Sequence, residues 1–398
     1  MPWKEYRVID EKIKFVVEAM DRDESMKNLC EKYGISRKTG YKWLNRYKED
    51  GAQGLCNRSR APHTHPNALE EKVKKDILAL KQKHPNWGPK KLCALLKKQD
   101  YNKVPAASTV GTFLKKHGLV KVKKRRRKAV PTEAPLTKAL KPNDVWCADF
   151  KGHFKTRDGN KCKPLTITDQ LSRYLLACHH VNRMSFEYTK DTFEKAFREY
   201  GMPLVVRTDN GTPFSSTNRY GLSKLSFWWI RLGIYPERIK LGRPDQNGCH
   251  ERMHRTLKQE VASPPAQNIS AQEMRFKSFV NEYNLERPHE ALDMKTPSEL
   301  YINSDRSYPE KLRSIEYASR LKVYRVQKHG EIKYRGRDLF ISECLYKEHV
   351  GLEQISENKS VVWYCNYELG VLNHEDWKIE PLFCKPYSTE ISLTYKEL

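Results

Sequence analysis

Three carboxylates in contrasting local contexts constrain the fold of this chain more than any other feature. Asp149 and Asp209 each end an apolar, β-prone run, whereas Glu251 lies inside a helix-like stretch. The runs of residues around them follow one another as strands and helices in an order typical of a mixed sheet flanked by helices. Three carboxylates at one edge can hold two Mg²⁺ ions, which clamp the attacking and leaving oxygens of a phosphoryl transfer.

The chain around these acids is strongly basic. Its 398 residues carry a formal net charge of +25, which favours a polyanion as partner, although ribosomal and membrane-surface proteins share this property. The length predicts about two to four domains. No run reaches the ~18 apolar residues of a membrane helix, and the start has no apolar signal-peptide core. We therefore expect a cytoplasmic protein that acts on nucleic acid and contacts no membrane.

The ten cysteines indicate reduced thiols, because none forms a CxxC pair. Cys56 precedes His63 and His65, but a second close pair of ligands is missing, so the pattern disfavours zinc there.

Residues 10–48 have the apolar spacing of three short helices, over 11–20, 25–33 and 37–47. Gly34 permits a tight turn, and Ser36 is suited to cap the third helix, which is expected to turn Tyr41 and Leu44 inward. The side chains left for solvent or DNA are Arg37, Lys38, Thr39, Lys42 and Arg46. This pattern is typical of a helix-turn-helix, whose second helix enters the major groove. A plain three-helix bundle with a solvated charged face is the alternative.

Residues 69–118 repeat this pattern. One amphipathic helix runs over 70–83, Pro89 opens a second, and Ser108 is expected to cap a third that Gly118 ends. A basic stretch follows, with seven Lys or Arg residues among the eight from Lys121 to Lys128 and then three prolines: Pro131, Pro135 and Pro142. We interpret it as a linker able to neutralise DNA phosphates, a solvated tail being the alternative.

From Asn143 the pattern changes. It predicts strands over 144–150, 163–167, 173–179 and 203–207, and helices over 186–200, 220–232 and 245–261. This order is typical of a mixed sheet flanked by helices. Asp169 also follows a β-prone run, and we interpret it as a structural, turn-forming residue. The tail, 321–372, alternates apolar and polar residues around a His329-Gly330 turn, which predicts a hairpin within a small, basic β-barrel.

These motifs together resemble insertion-sequence transposases that have a retroviral-integrase-type core. The residues that carry the resemblance are Asp149, Asp209, Glu251, Asn210-Gly211, Asn247-Gly248 and Lys258, followed by Tyr283-Asn284, Arg287-Pro288-His289, Ala291-Leu292 and 296–301. The resemblance covers roughly residues 145–301. The motifs are highly specific when taken together, although no single one of them is. The gap of 41 residues between Asp209 and Glu251 exceeds the common family spacing, and we place the surplus in 215–226.

The resemblance implies a multidomain chain with a ribonuclease-H-like core, a mixed five-stranded sheet flanked by helices. The expected domains are a helix-turn-helix domain at 1–60, a second helix-turn-helix or winged-helix-like domain at 66–120, the linker at 121–142, the catalytic core at 143–302 and an all-β barrel at 315–385. It also implies a DDE-type transposase. Such an enzyme cleaves at the ends of a mobile element and joins the 3′-hydroxyl to target DNA.

The resemblance further implies the cofactor and the partners. Asp149, Asp209 and Glu251 would hold two Mg²⁺ ions, for which Mn²⁺ can substitute, with no small-molecule cofactor. Lys258 lies two helical turns beyond Glu251, on the same face. The full set of expected DNA contacts is Lys258, Arg255, Asn210, Asn247, Arg37, Lys38, Lys42, Arg46, Lys123, Lys124, Arg125, Arg126 and Arg127. The partner would be double-stranded DNA, bound by a homo-oligomer of at least two chains at the bacterial nucleoid.

Two other functions remain open at this point. A non-catalytic DNA-binding regulator would have the same reading domains, but it would have no need of the three acids. A ribonuclease of the same fold would have the acids, but no need of two sequence-reading modules.

Overall fold

The computed structural model describes residues 8–21, 23–58, 68–99, 101, 103–120, 136–216, 220–240, 244–312 and 314–382. The chain divides into two compact units, Met1–Glu70 and Glu71–Leu398. The basic run 121–128, Pro131, Pro135 and the His63-x-His65 motif lie outside the described residues. Within the described residues, no helix is both long and apolar enough to cross a membrane.

In its described residues, the first unit contains the helices α1 (Val8–Asp21), α2 (Met26–Lys32) and α3 (Arg37–Asp50), followed by the 3₁₀ turn Gly51–Leu55. Ser25 and Ser36 cap α2 and α3, because their hydroxyls accept backbone N–H groups of the first turn. Gly34 has a φ of +62°, so the predicted tight turn is confirmed. The apolar core of the unit is formed by Phe15, Val16, Leu29, Cys30, Leu44 and Leu55.

The expectation that Tyr41 faces this core is wrong. Its side chain is 51 % exposed, whereas Gly40 and Leu44 are buried. Residues four apart share one helix face, so a core that takes Gly40 and Leu44 leaves Tyr41 outside. A Cβ on Gly40 would lie 2.6 Å from Cys30 Sγ and 2.9 Å from Phe15 Cζ, so α3 packs closely at this glycine.

The second unit begins with α4 (Glu71–Lys83), α5 (Pro89–Lys98) and α6 (Ala107–Lys116). Pro89 opens α5 as predicted, and Gly118 follows α6 with a φ of +69°. Ser108 is not the cap of α6: Ala106 takes that position without a side-chain hydrogen bond, and Ser108 lies in the first turn.

Side chains of α4 and α5 pair with carboxylates at residues 282–299 of the same unit. Lys83 pairs with Glu286 at 3.0 Å, and Lys98 pairs with Glu299 at 2.5 Å. Lys90 pairs with Glu290, and His84 Nδ1 lies 2.9 Å from Glu282 Oε1. These contacts fasten α4 and α5 to the segment that contains the Arg287-Pro288-His289 signature.

A mixed sheet forms the centre of the second unit. Its strands in the described residues are β1 (Val145–Phe150), β4 (Pro164–Asp169), β5 (Leu175–His180), β6 (Val205–Thr208) and β7 (Tyr235–Arg238), with a short hairpin of β2 (Phe154–Lys155) and β3 (Lys161–Cys162) beside it. The strand order is β5-β4-β1-β6-β7. The pairs β1–β4 and β4–β5 are antiparallel, whereas β1–β6 and β6–β7 are parallel. This confirms the expected ribonuclease-H-like core with a five-stranded sheet.

Four further helices accompany the sheet in the described residues: α7 (Phe186–Tyr200), α8 (Lys224–Arg231), α9 (Gly248–Leu257) and α10 (Ile269–Asn281). The predicted bounds of α7 are confirmed, but α8 begins after 220 because Ser223 caps it. The helix predicted over 245–261 has three parts: the 3₁₀ turn Pro244–Asn247, then α9, then the π turn Lys258–Ala262.

The C-terminal region is antiparallel. The described strands are β8 (Lys322–Arg325), β9 (Glu331–Tyr334), β10 (Arg337–Phe340), β11 (His349–Ser356), β12 (Lys359–Tyr364), β13 (Tyr367–Asn373) and β14 (Lys378–Pro381). They form a five-stranded sheet, β14-β13-β12-β11-β8, and a separate β10-β9 ribbon instead of one continuous barrel sheet. Gly330 turns the chain with a φ of +82°, but the expected hairpin is wrong because β8 pairs with β11.

Candidate active site

The carboxyl ends of β1 and β6 meet at one edge of the sheet. The two strands are parallel neighbours, and Ala148 is in register with Thr208. Asp149 and Asp209, each the next residue, therefore stand side by side. Helix α9 packs against β1 and carries Glu251 to this edge.

The charges of Asp209 and Glu251 act on Asp149. Burial and the negative charge of Asp209 raise the pKa of Asp149 to about 7, and the charge of Glu251 adds to this. The Asp209 carboxylate accepts the Gly211 N–H at 3.0 Å. Among the described residues, no lysine or arginine forms an ion pair with Asp149, Asp209 or Glu251. The site thus concentrates negative charge, and the charge of Lys151 only partly offsets the rise in the pKa of Asp149.

An open cleft lies against this edge. Asp149 and Glu251 line it together with Lys151, His254, Arg255 and Lys258. Glu251, Arg255 and Lys258 are all exposed. The structure therefore brings the two expected cations of the α9 segment, Arg255 and Lys258, to the same cleft as two of the acids.

The other residues expected at DNA have varied surroundings. Arg37, Lys38 and Lys42 are exposed on α3, and Arg46 is half-buried with its guanidinium 5.2 Å from the Trp43 ring centre. Asn210 donates its Nδ2–H to the Ile239 carbonyl at 2.7 Å. Asn247 is buried at the start of α9. Five more lie outside the described residues: Lys123, Lys124, Arg125, Arg126 and Arg127.

Sequence reasoning missed two histidines on the buried face of α9. His250 and His254 contact Thr166 and Thr168 of β4 through their ring nitrogens. Burial lowers the pKa of His250 to about 3 and that of His254 to about 2, so both rings are neutral at physiological pH. The signal was available in the sequence, because residues four apart on a helix, and two apart on a strand, share a face.

Two signature residues of the resemblance have structural contacts. Asn284 bonds both backbone polar groups of Leu175, at 2.8 and 2.9 Å, so it holds β5. Arg287 donates to Glu260 Oε1 at 2.6 Å, next to the π turn that begins at Lys258. Asp169 is buried and accepts three hydrogen bonds from Asn143 and Ser172, which confirms it as a structural, turn-forming residue.

A buried ion pair joins β6, the strand directly before Asp209, to its neighbour β7. Arg207 Nε donates to Glu237 Oε2 at 2.6 Å, and the two side chains are only 4 % and 2 % exposed. Thr137 completes the cluster: its N–H and hydroxyl donate to Glu237 Oε1 at 2.8 Å, and its carbonyl accepts from Arg207. The cluster ties β6, β7 and the segment before β1 together.

Comparison with known proteins agrees with this architecture. Two models described as integrase core domain match residues 139–244 and 232–297. A helix-turn-helix domain model matches residues 11–63, and a homeodomain-like domain model matches residues 39–114. The chain thus matches helix-turn-helix-type models over residues 11–114 and integrase-core models over residues 139–297.

The sequence relatives include products of bacterial insertion elements. An uncharacterised 31.7 kDa protein of element IS407 from Burkholderia multivorans is 25 % identical over 236 residues, which are 59 % of this chain and 82 % of the relative. A 39.2 kDa protein of IS476 from Xanthomonas euvesicatoria is 25 % identical over 242 residues, 60 % of this chain and 67 % of that protein. The integrase catalytic core of HTLV-2, solved with magnesium, aligns with 42 % of this chain and all of its own length at 18 % identity and a TM-score of 0.34.

Proposed function

We propose that this chain is a transposase that binds the ends of a mobile DNA element, cleaves there, and joins the freed 3′-hydroxyl to target DNA. The observation that carries this proposal is the set of three acids at one edge of the integrase core, where Asp149 carries a raised pKa beside Asp209 and Glu251. The division into reading domains at 1–60 and 66–120, a core at 143–302 and a β region at 315–385 belongs to the same proposal.

The acids fit divalent metal ions. Carboxylate oxygens are the ligands that Mg²⁺ prefers. Divalent ions would neutralise three carboxylates that form no ion pair with a lysine or arginine of the described residues. In the proposal, Asp149, Asp209 and Glu251 would hold two Mg²⁺ ions, which Mn²⁺ could replace. When bound, the ions supply Lewis-acid stabilisation of the charge on the reacting phosphoryl oxygens.

In the proposal, basic side chains of the chain bind the DNA. Arg255 and Lys258 line the cleft and would hold a DNA phosphate there as donors that cannot bind metal. The exposed basic face of α3 would read the element end in the major groove. Joining two ends to one target requires two active sites, so we infer at least a dimer on DNA, acting at the nucleoid.

A strand-transfer assay tests this function. The DNA that flanks the gene supplies candidate inverted repeats, and a labelled duplex of one repeat serves as the substrate. We expect a joined product with a target duplex in Mg²⁺ or Mn²⁺ and none in EDTA. Tight, specific binding without cleavage in either metal would instead identify a non-catalytic DNA-binding regulator.

Lys258→Ala should weaken strand transfer at limiting DNA, because the variant loses a phosphate contact in the cleft, and added DNA should partly restore transfer. The Mg²⁺ requirement should stay unchanged, since an ammonium group has no lone pair for metal. The matched control is Lys277→Ala, which removes an exposed lysine from α10. Normal DNA dependence in Lys258→Ala, or a shifted Mg²⁺ requirement with normal DNA affinity, would remove Lys258 from the DNA interface.

Arg37→Ala and Lys42→Ala should each relax sequence choice if their side chains reach base edges. The expected loss is about 1–3 kcal/mol of discrimination between the element end and random DNA. Competition binding by the whole chain at fixed salt measures it, because phosphate contacts alone change affinity steeply with salt. Lys27→Ala, on the exposed side of α2, is the control. Equal loss of affinity for both DNAs would assign Arg37 and Lys42 to the phosphates.

A further inference from the structure

The buried face of α9 holds two imidazoles that the proposed reaction does not use. His250 and His254 lie one turn apart, and both direct Nε2 at the hydroxyl of Thr166, at 2.8 and 2.7 Å. The same hydroxyl lies 3.0 Å from the backbone carbonyl oxygen of Asp149. Thr166 Oγ1 therefore has three partners but only one proton to donate.

The destination of that proton fixes both imidazole tautomers. A carbonyl oxygen can only accept, so Thr166 donates to Asp149, and each imidazole donates its Nε2–H to Thr166. Each Nδ1 then keeps a lone pair. The Nδ1 of His250 accepts from the Thr168 hydroxyl at 2.9 Å. The Nδ1 of His254 instead faces Asp149 Oδ2 at 3.6 Å.

Two lone pairs that face each other repel unless a proton or a cation lies between them. This pair opens on the cleft that Glu251 also lines. Imidazole nitrogen and carboxylate oxygen both bind divalent transition metals with bonds of about 2.0–2.2 Å, so two such bonds can span the gap. The hydrogen bond from His254 Nε2 to Thr166 is the kind of outer contact that orients a ligating imidazole.

We propose that His254, through Nδ1, is a ligand of the divalent metal at Asp149, so that the site has a nitrogen donor besides its carboxylates. The inference rests on the proposed function, which places a metal at Asp149. It excludes His250, although ring nitrogens of both histidines and an Asp149 oxygen all lie within 4.8 Å of one another. Both nitrogens of His250 are already hydrogen-bonded to threonine hydroxyls. A nitrogen donor favours Mn²⁺ over Mg²⁺ at this position.

Pulsed electron paramagnetic resonance of Mn²⁺ bound to the whole chain tests the assignment, because it detects nitrogen nuclei coupled to the ion. We expect a ¹⁴N coupling in the wild-type protein that is replaced by a ¹⁵N coupling when the chain is made with ¹⁵N-histidine. The coupling should be lost in His254→Gln and kept in His250→Gln, the matched control. Mn²⁺ affinity should fall about 10- to 100-fold in His254→Gln only.

The outcomes separate this inference from the function on which it rests. Wild-type Mn²⁺ that needs Asp149 but couples to no histidine nitrogen would overturn the role of His254 and leave the carboxylate site intact. Coupling that survives His254→Gln would overturn it as well. Equal Mn²⁺ affinity in Asp149→Asn and wild type would instead remove the metal from Asp149. The labelled wild-type chain and Asp149→Asn decide the question even where a histidine variant does not fold.

Discussion

Asp149→Asn, Asp209→Asn and Glu251→Gln should each abolish strand transfer while leaving DNA affinity unchanged. An amide is a much weaker metal ligand than a carboxylate, and the loss of one ligand from a shared two-metal site should disable the whole site. We expect a decrease of about a thousandfold or more, equivalent to about 4 kcal/mol of transition-state stabilisation. Single-turnover transfer of a labelled element end measures it, with binding followed on the same DNA.

Asp191→Asn is the matched control, because it removes an exposed carboxylate of α7 that lies outside the cleft. It should leave transfer at the wild-type level. Transfer near that level in any one of the three acid variants would remove that residue from the site. Loss of transfer together with DNA binding would indicate a folding defect, which thermal unfolding of the variant detects.

Arg207→Met should destabilise the second unit strongly. The substitution leaves the Glu237 carboxylate buried without its cation, and breaking a buried pair in this way costs about 3–5 kcal/mol. Chemical denaturation, followed by the fluorescence of the core tryptophans, measures the free energy of unfolding. Because Arg207 lies two residues before Asp209, the variant should also lose strand transfer at temperatures where wild type is active.

The control is Arg198→Met, which breaks an ion pair with Glu194 in which the two side chains are 53 % and 29 % exposed. Its expected cost is only about 0–1 kcal/mol. In the double variant Arg207→Met/Glu237→Leu no unpaired charge remains, so the loss should be smaller than the sum of the two single losses. A loss below about 1 kcal/mol in Arg207→Met would show that water reaches the pair.

Periodicity predicted the helices and strands whose partners are ordinary apolar neighbours, such as α7 and β1. It failed where a long-range contact overrides local preference. Strand β7 was not located, because Tyr235-Pro236-Glu237-Arg238 contains a proline and two charges, and Glu237 is buried only because Arg207 neutralises it. Gly40 was not placed in the core because its burial follows from how closely α3 approaches Cys30. The spacing of apolar residues does not predict such contacts.

Some features of the candidate site could be predicted from the sequence, and others depend on long-range contacts. The positions of Asp149 and Asp209 could be predicted, because parallel neighbouring strands end at one edge, and Asp149 lies in the last two residues of β1 while Asp209 directly follows β6. The placement of Asn210 could not be predicted. Its side chain donates a hydrogen bond to the Ile239 carbonyl, whose position depends on where β7 lies. The spacing of His250 and His254 placed both on one face of a helix, but it did not show which atoms that face contacts, so His254 was overlooked. Only the threonine hydroxyls of β4 show which nitrogen keeps its lone pair.

Under the proposed function, the pairs between α4–α5 and residues 282–299 have a consequence for where on a duplex the chain would act. Lys83, Lys90 and Lys98 hold these helices directly on the integrase core. A duplex bound by α5 would therefore be held at a set distance from the Asp149 cleft. The folded protein itself would then set the number of base pairs between the sequence contacted by α5 and the phosphodiester that lies at the three acids.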